Sequence, residues 1–553
     1  MKISLNSHNS TKGVNNSRGL KKKIQKTYVI IILLIGIGLA IRFHYFIPEI
    51  PLTTDALSYF FYAVDISVTE KLPMNYSPPN NGWPIFVSFF FRIFTFENTL
   101  EFMQLQKILT ITISTITVIP LYFLCRKFFN EKISIVASSI FILDPRIIFN
   151  SLAGITEPLY ILLCTTSLTF FLSERKSFVY FSFIAVSFAS LIRSEGLFLF
   201  FALSILFLIK FRKDRYVVLK YLPALAIALI ILLPMISYRV EAVGYDSLFG
   251  RIIDSLNYVF EPLIENDGDQ NYGFESTSKL EPTNSGIPYI STGIENFTKF
   301  FGWSLIPIFI FFVPIGFFIF LKKIEVNRLT IIISGICISL PAFHAYGSDH
   351  LDTRYLFMLY PFYCIIAGFT IEKILRKTNQ KEMVSIVIIL LMIIVSISFI
   401  EIRDMEQKLE NEYTILATKI AKLEAKTNSF YPASNYLETA QIPSNFKDLE
   451  KYFFKEREEK LSIRFTIPQK SSIIEIENAE LNKFMKNAEK NSITHLVIDL
   501  EGNRPEFFKD IFENEIKFPF LEKVYDSKDE GFYYHVKIFK INYEIFGKLI
   551  KNN

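Results

Sequence analysis

Asp55, Glu157, Arg193 and Arg354 are the residues through which this sequence could do chemistry. Two carboxylates and two guanidinium groups suit transfer of a group from a phosphate to a hydroxyl. A carboxylate takes the hydroxyl proton, and an arginine fork meets the charge growing on the departing phosphate. His350 is a third candidate for the phosphate, Arg239 a cation in reserve, and Tyr59 follows Asp55 by four residues. Each has a plainer reading. Asp55 could be a solvated loop acid. Glu157, followed by Pro158, suits any helix N-terminus. Arg193 could snorkel or pair with Glu195, Arg354 and Tyr355 could anchor at an interface, and His350 could be a loop histidine.

Which reading holds depends on the elements that position these side chains. Of 553 residues, 51% are hydrophobic and 16% aromatic, 58 of them Phe. Charge is uneven: residues 401–553 carry 24 Lys+Arg and 27 Asp+Glu, a third of that stretch, and the front is much poorer. This excludes a single soluble domain, a disordered chain and a nucleic-acid binder, and predicts a polytopic α-helical membrane protein with a C-terminal soluble α/β domain. The apolar run Tyr28–Ile47 follows Lys21-Lys22-Lys23 and Lys26 and lacks a small-residue cleavage site, so an uncleaved first helix is expected. Further runs near 103–124, 133–149, 157–173, 178–192, 196–211, 216–237, 302–321, 329–345, 355–372 and 383–400 bring the expected spans to about eleven.

Lys and Arg recur at every second junction: 21–26, 126–132, 175–176, 210–215, 322–328 and 373–381. The positive-inside rule puts these in the cytoplasm. The long loops 48–102 and 238–301 and the tail 401–553 then lie outside. The expected organisation is a cytoplasmic segment 1–26, a membrane catalytic domain 27–400 and an extracytoplasmic α/β domain 401–553. On this map Asp55, Glu157, Arg193, His350 and Arg354 share the outer edge of the membrane region. Ionisable groups at that depth are costly and point to function. In the first outer loop, Ile85–Phe96 and Tyr59–Ile66 are apolar but too short to span.

The tail opens with a helical pattern through Leu409, Leu416 and Leu423. Strand-like runs follow at Ser472–Ile476, Thr494–Leu500, Leu521–Tyr525 and Tyr533–Ile541, with helices at Ala479–Lys490 and Pro505–Glu515 between them. It has no phosphate-binding glycine loop. Cys125, Cys164, Cys337 and Cys364 all fall in or beside apolar runs, so their spacing supports neither a disulfide framework nor a thiolate zinc site.

Thr54-Asp55-Ala56-Leu57-Ser58-Tyr59, Asn81-Gly82-Trp83-Pro84, Ile155-Thr156-Glu157-Pro158-Leu159, Ile192-Arg193-Ser194-Glu195-Gly196 and Arg354-Tyr355-Leu356 with Pro361 resemble the GT-C superfamily of integral-membrane glycosyltransferases. The similarity is to its protein-O-mannosyltransferase and aminoarabinose-transferase-like branch, over about residues 28–400. The resemblance implies transfer of a sugar from a polyprenyl-phosphate carrier to a protein, glycan or lipid acceptor on the outer face, with inversion and usually without a metal or other cofactor. Asp55 matches that family's first-loop acid, Glu157 its acid at the outer start of the fourth helix, and Tyr59 the aromatic after the first acid. Two features depart from the pattern. Ser77 precedes Pro78-Pro79 where the aminoarabinose enzymes carry a lysine, and Ala56 follows Asp55 where the eukaryotic mannosyltransferases carry an acid pair. With that lysine missing, the donor phosphate is expected at Arg354, Arg193 or His350. A multi-span transporter or flippase of a lipid-linked sugar is the alternative. It would show repeated halves and polar groups at mid-membrane, neither of which is evident.

Overall fold

The structure is a computed structural model that describes residues 10–73, 81–243, 287–323, 325–428, 434–458, 472–474, 480–500 and 505–552. Ser77-Pro78-Pro79, the outer loop from 244 to 286 and the strand residues 475–476 lie outside the described residues.

Helices are numbered along the chain. The first eleven are α1 (Ser10–His44), α2 (Thr54–Thr69), α3 (Gly82–Ile93), α4 (Thr99–Ile116), α5 (Val118–Cys125), α6 (Glu131–Leu143), α7 (Pro145–Leu152), α8 (Glu157–Phe171), α9 (Lys176–Ile192), α10 (Gly196–Lys210) and α11 (Val217–Val243). Further along come α12 (Ile287–Ser304), α13 (Val313–Leu321), α14 (Val326–Gly347), a 3₁₀ turn at Thr353–Leu359, α15 (Tyr360–Arg376) and α16 (Lys381–Leu423). The chain folds into two compact units. One comprises Met1–Phe46, Met74–Val87 and Gln106–Phe399, and the other Ile47–Pro73, Ser88–Leu105 and Ile400–Asn553.

The protein is mostly helical. Among the described residues six helices are long and apolar enough to cross a membrane, seven if the bent pair α6–α7 counts as one. The expected number of about eleven is not reached by that measure. Hydropathy counts apolar runs, whereas a crossing also needs unbroken helix. α8, α9 and α10 run for 15, 17 and 15 residues, short of the roughly 20 that span a bilayer. The run 302–321 is divided between the end of α12, a 3₁₀ turn and the nine-residue α13, with Pro307 in the break, where it has no N–H to give a helix.

The bend of 49° between α6 and α7 has a sequence cause in Asp144-Pro145-Arg146. The Asp144 carboxylate accepts from the backbone N–H groups of Arg146 (3.0 Å) and Ile147 (3.3 Å), so it caps α7 where α6 would otherwise continue. Arg42 of α1 is wholly buried here. Its guanidinium donates to Ser151 Oγ, the carbonyls of Gly38 and Ile142, and Ser114 Oγ, at 3.0 to 3.2 Å. A buried arginine is tolerated only when its donors are placed in this way.

In the second unit a five-stranded sheet has the order β2-β1-β3-β5-β4, where β1 is Lys426–Asn428, β2 Ser472–Ile474, β3 His495–Asp499, β4 Leu521–Asp526 and β5 Val536–Ile541. β1, β2 and β3 run parallel and the hairpin β4–β5 antiparallel. α17 (Ser434–Ala440) and α18 (Phe446–Glu458) lie between β1 and β2, α19 (Leu481–Lys490) and α20 (Glu506–Glu513) flank β3, and α21 (Tyr543–Asn552) closes the chain. The four strand runs read from the sequence are present. β1, α17 and α18 are not signalled there, because three residues cannot display an alternation.

Candidate active site

Glu157 begins α8 with Pro158 behind it, and Arg193 ends α9, in the turn before α10. α8 and α9 pack side by side as an antiparallel hairpin, which returns Arg193 to the start of α8. Arg193 Nη1 lies 2.8 Å from Glu157 Oε1 and 3.1 Å from Thr156 Oγ1, while Nη2 lies 2.8 Å from Glu195 Oε1. Thr156 Oγ1 also donates to Glu157 Oε2 at 3.3 Å. The Glu157 side chain is 4% exposed and that of Arg193 11%. A guanidinium bracketed by two carboxylates in so dry a place is a rigid element. Taking the guanidinium away would leave two buried carboxylates without their shared cation, whereas taking one carboxylate away leaves Arg193 paired with the other.

The loop holding Arg193 is braced from both sides by glycine. A Cβ on Gly196 would meet the backbone of Ser190 at 2.6 Å, and one on Gly82 the carbonyl of Leu191 at 2.8 Å. The Asn81-Gly82-Trp83 motif is thus a bracket. Asn81 Oδ1 accepts from Arg239 Nη1 at 3.2 Å, Gly82 sits against the end of α9, and Trp83 is fully buried with its ring on Phe86. Arg239 is itself buried, held within the protein by this bracket.

Arg354 occupies the 3₁₀ turn, which packs against α8, α12 and α14. Asp352 Oδ1 accepts from the Arg354 backbone N–H at 2.8 Å and Oδ2 lies 2.9 Å from Arg354 Nε. Of the two nearby acids, Asp352 therefore holds the guanidinium. Asp349, at φ +56°, instead accepts from Asn296 Nδ2 at 3.5 Å. The Arg354 side chain is 33% exposed and lies over the Tyr355 ring at 5.9 Å. His350 is exposed, its backbone N–H donating to the Ala345 carbonyl.

Asp55 and Tyr59 belong to the second unit. Asp55 is exposed in the first turn of α2, where an acid meets the positive end of the helix dipole, and Tyr59, one turn on, is buried. Thr54 between the N-cap and Asp55 has φ +48°, a strained value for a β-branched residue.

The structure thus joins Glu157, Arg193 and Glu195 in one network and sets Arg354 with Asp352 in a turn packed on the Glu157 helix. Sequence reading missed the buried Arg42 and the capped break at Asp144-Pro145-Arg146. The signal was present, since two charged residues flanking a proline within an apolar run announce a break. Among the described residues no three His, Cys, Asp or Glu side chains gather as metal ligands.

Residues 77–238 match the family model of the dolichyl-phosphate-mannose-protein mannosyltransferases, and the resemblance seen in the short motifs is borne out over that stretch. A search of curated proteins finds no matching relative. Among solved structures, the chain is similar to the Archaeoglobus fulgidus oligosaccharyltransferase AglB in complex with an inhibitory peptide and a dolichol-phosphate, at 10% identity and a TM-score of 0.48, over 86% of this chain and 70% of that one. It is also similar to ArnT from Cupriavidus metallidurans bound to undecaprenyl phosphate, at 9% identity and a TM-score of 0.47, over 94% of this chain and 98% of that one.

Proposed function

We propose that the protein is a glycosyltransferase that moves a sugar from a polyprenyl-phosphate carrier to an acceptor hydroxyl. The observation that carries this reading is the mannosyltransferase family match over residues 77–238, a stretch that contains the buried Glu157–Arg193 pair. The acceptor oxygen attacks the anomeric carbon as the bond from that carbon to the phosphate oxygen breaks. The hydroxyl proton passes to Asp55, and the pair of electrons leaves with the polyprenyl phosphate. Asp55 suits the base because it is exposed to an incoming hydroxyl. Glu157, committed to Arg193 and Thr156, suits a supporting acid that orients and does not exchange the proton.

For the leaving phosphate the geometry favours Arg354 over Arg193. Arg193 is already bracketed by Glu157 and Glu195 and is the more deeply buried of the two. Arg354 lies nearer solvent, and Tyr355 beside it suits packing on the first isoprene units. His350 in the same loop is a secondary cation.

In this reading the reaction takes place on the outer face. The chain crosses about eleven times, with the bent pair α6–α7, the short helices α8, α9 and α10 and the broken run 302–321 each taken as one crossing, and residues 401–553 lie outside. Cysteine placed at Lys490 reacts with an impermeant maleimide in intact cells, and cysteine at Lys213 does not; the reverse pattern rejects the map. The activity is tested by incubating the purified protein in detergent with a panel of polyprenyl-phosphate sugars and acceptors. Release of polyprenyl phosphate that depends on acceptor supports the reading. No release across the panel, with the protein intact by size exclusion, rejects it.

A further inference from the structure

The tail carries no chemistry of its own in the sequence, yet the second unit is not the tail alone. Two segments of the first outer loop, Ile47–Pro73 and Ser88–Leu105, fold into it. Ile50 is buried in the same apolar cluster as Leu416, Ile420, Leu437, Val497 and Ile538. Two residues later, the Leu52 carbonyl accepts from Thr439 Oγ1 at 2.9 Å, across 387 positions of sequence. That carbonyl lies immediately before Thr53, the N-cap of α2, and strained Thr54. Further along α2, Phe61 faces Phe453 of α18 with ring centroids 6.3 Å apart.

The same stretch of tail grips the second loop segment. Asn98 and Asn445 form an antiparallel bridge, Thr99 N–H donates to the Ser444 carbonyl at 2.8 Å, Phe446 N–H donates to the Glu97 carbonyl at 2.9 Å, and the Phe102 and Phe446 rings stack at 3.9 Å. That segment in turn reaches α2, for Arg92 Nη2 donates to the Ile66 carbonyl at 2.9 Å and Phe91 meets Phe60 at 5.6 Å. Residues 439–446 are thus a strap that ties the start of α2 directly and its far end through α3. A β-branched residue at positive φ costs free energy and persists only where its surroundings hold it. Here the strained residue directly precedes Asp55.

We propose that the strap from Thr439 to Phe446 is the positioning element for Asp55, and that Thr439 is its principal positioning residue, fixing the backbone from which the carboxylate is presented. This rests on the reading of Asp55 as the base. It gives the C-terminal domain a role in the transfer reaction that needs no active-site residue of its own.

The test uses the full-length protein in detergent. Thr439→Val keeps the shape and removes the donor, and Thr439→Ser restores it. Loss of alignment by a fraction of an ångström lowers kcat by about tenfold in Thr439→Val, with KM for the lipid donor within about twofold of wild type. Thr439→Ser returns kcat to within about twofold. A spin label at Ser58→Cys becomes more mobile in the Thr439→Val background and not in the Thr439→Ser background. Full turnover in Thr439→Val overturns the proposal, as does a loss that serine fails to rescue or one expressed in KM instead of kcat. Asp55→Asn run in parallel separates the two claims. An inactive Asp55→Asn with a fully active Thr439→Val rejects the strap and leaves the base reading standing, whereas a fully active Asp55→Asn rejects the base and the strap's role with it.

Discussion

The two acids that the motifs single out have opposite surroundings. Glu157 is buried in the first unit, its oxygens engaged by a hydroxyl and by the guanidinium of Arg193, whose loop packs on Gly82 and Gly196 where a side chain would not fit. Asp55 is exposed on the first turn of a helix in the second unit, beside a strained threonine. One arrangement keeps a carboxylate where it is. The other sets one at the surface of its unit. A base must meet its substrate, and an orienting acid must not move, so the contrast supports the proposed reading of Asp55 as base and Glu157 as supporting acid.

The sharpest way to break this contrast is to neutralise each acid in turn. Asp55→Asn lowers kcat by about 10²–10⁴-fold, with thermal stability changed by no more than the roughly 0.3–1 kcal/mol that an acid in the first turn contributes. Glu157→Gln lowers kcat less and unfolds at a lower temperature. Measuring both kcat and Tm for both variants checks the pair, and equal kcat losses with equal Tm changes would erase the distinction.

Stability sharpens the first half. Arg193→Met leaves Glu157 and Glu195 without their guanidinium and destabilises the protein by about 3–5 kcal/mol, whereas Glu157→Gln keeps the Arg193–Glu195 pair and costs less. The double variant leaves only Glu195 without the guanidinium where Arg193→Met leaves both acids so, and recovers part of that loss. A thermal-shift series on the four proteins reads the coupling, and strictly additive losses would mean that the pair does not act as a unit.

Arg354 lies between the extremes, paired with Asp352 yet a third exposed. Arg354→Ala reduces polyprenyl-phosphate release by about 10²-fold, as loss of one charge-stabilising donor does, and Arg354→Lys by less, since it keeps charge without the fork. Lysine at the wild-type rate, at saturating and at limiting donor, would leave Arg354 as an interface anchor and move the phosphate to Arg193.

The smallest effect concerns the tail and pH. Glu515 is partly buried, which by itself would raise its pKa, but hydrogen bonds from Lys537 (2.6 Å) and Lys523 (3.1 Å) outweigh this and hold it below the ordinary carboxylate value. Its folded-state pKa is depressed, so its contribution is present above the unfolded carboxylate range and is lost as pH falls through the folded value. His495 is lowered by burial and by Lys540, so protonation as pH drops below the ordinary histidine range also opposes folding. Acidification from pH 7 to 4 therefore lowers Tm, and Glu515→Gln removes about 1 kcal/mol or less of that dependence. A Glu515→Gln profile identical to wild type would show that the lysine pair is inert.

Local pattern carried much of this protein. The apolar runs mark where its helices lie, the shift in charge at about residue 400 marks the tail, Glu157-Pro158 marks a helix start, and the patterns through Leu521–Tyr525 and Tyr533–Ile541 mark strands, because periodicity and capping depend on neighbours within a turn or two of chain. Sequence also put Glu157, Arg193 and Arg354 on a short list, since charges are rare in such apolar surroundings. Only the tertiary structure decided which of them meet. Arg193 reaches Glu157 across 36 positions because α8 and α9 fold back as a hairpin, and Thr439 reaches Leu52 across 387 because the first loop is built into the tail. A hydroxyl donating to a carbonyl, or a guanidinium closing on a distant acid, leaves no period in the chain: either partner could be satisfied by water or by a neighbour until packing excludes both.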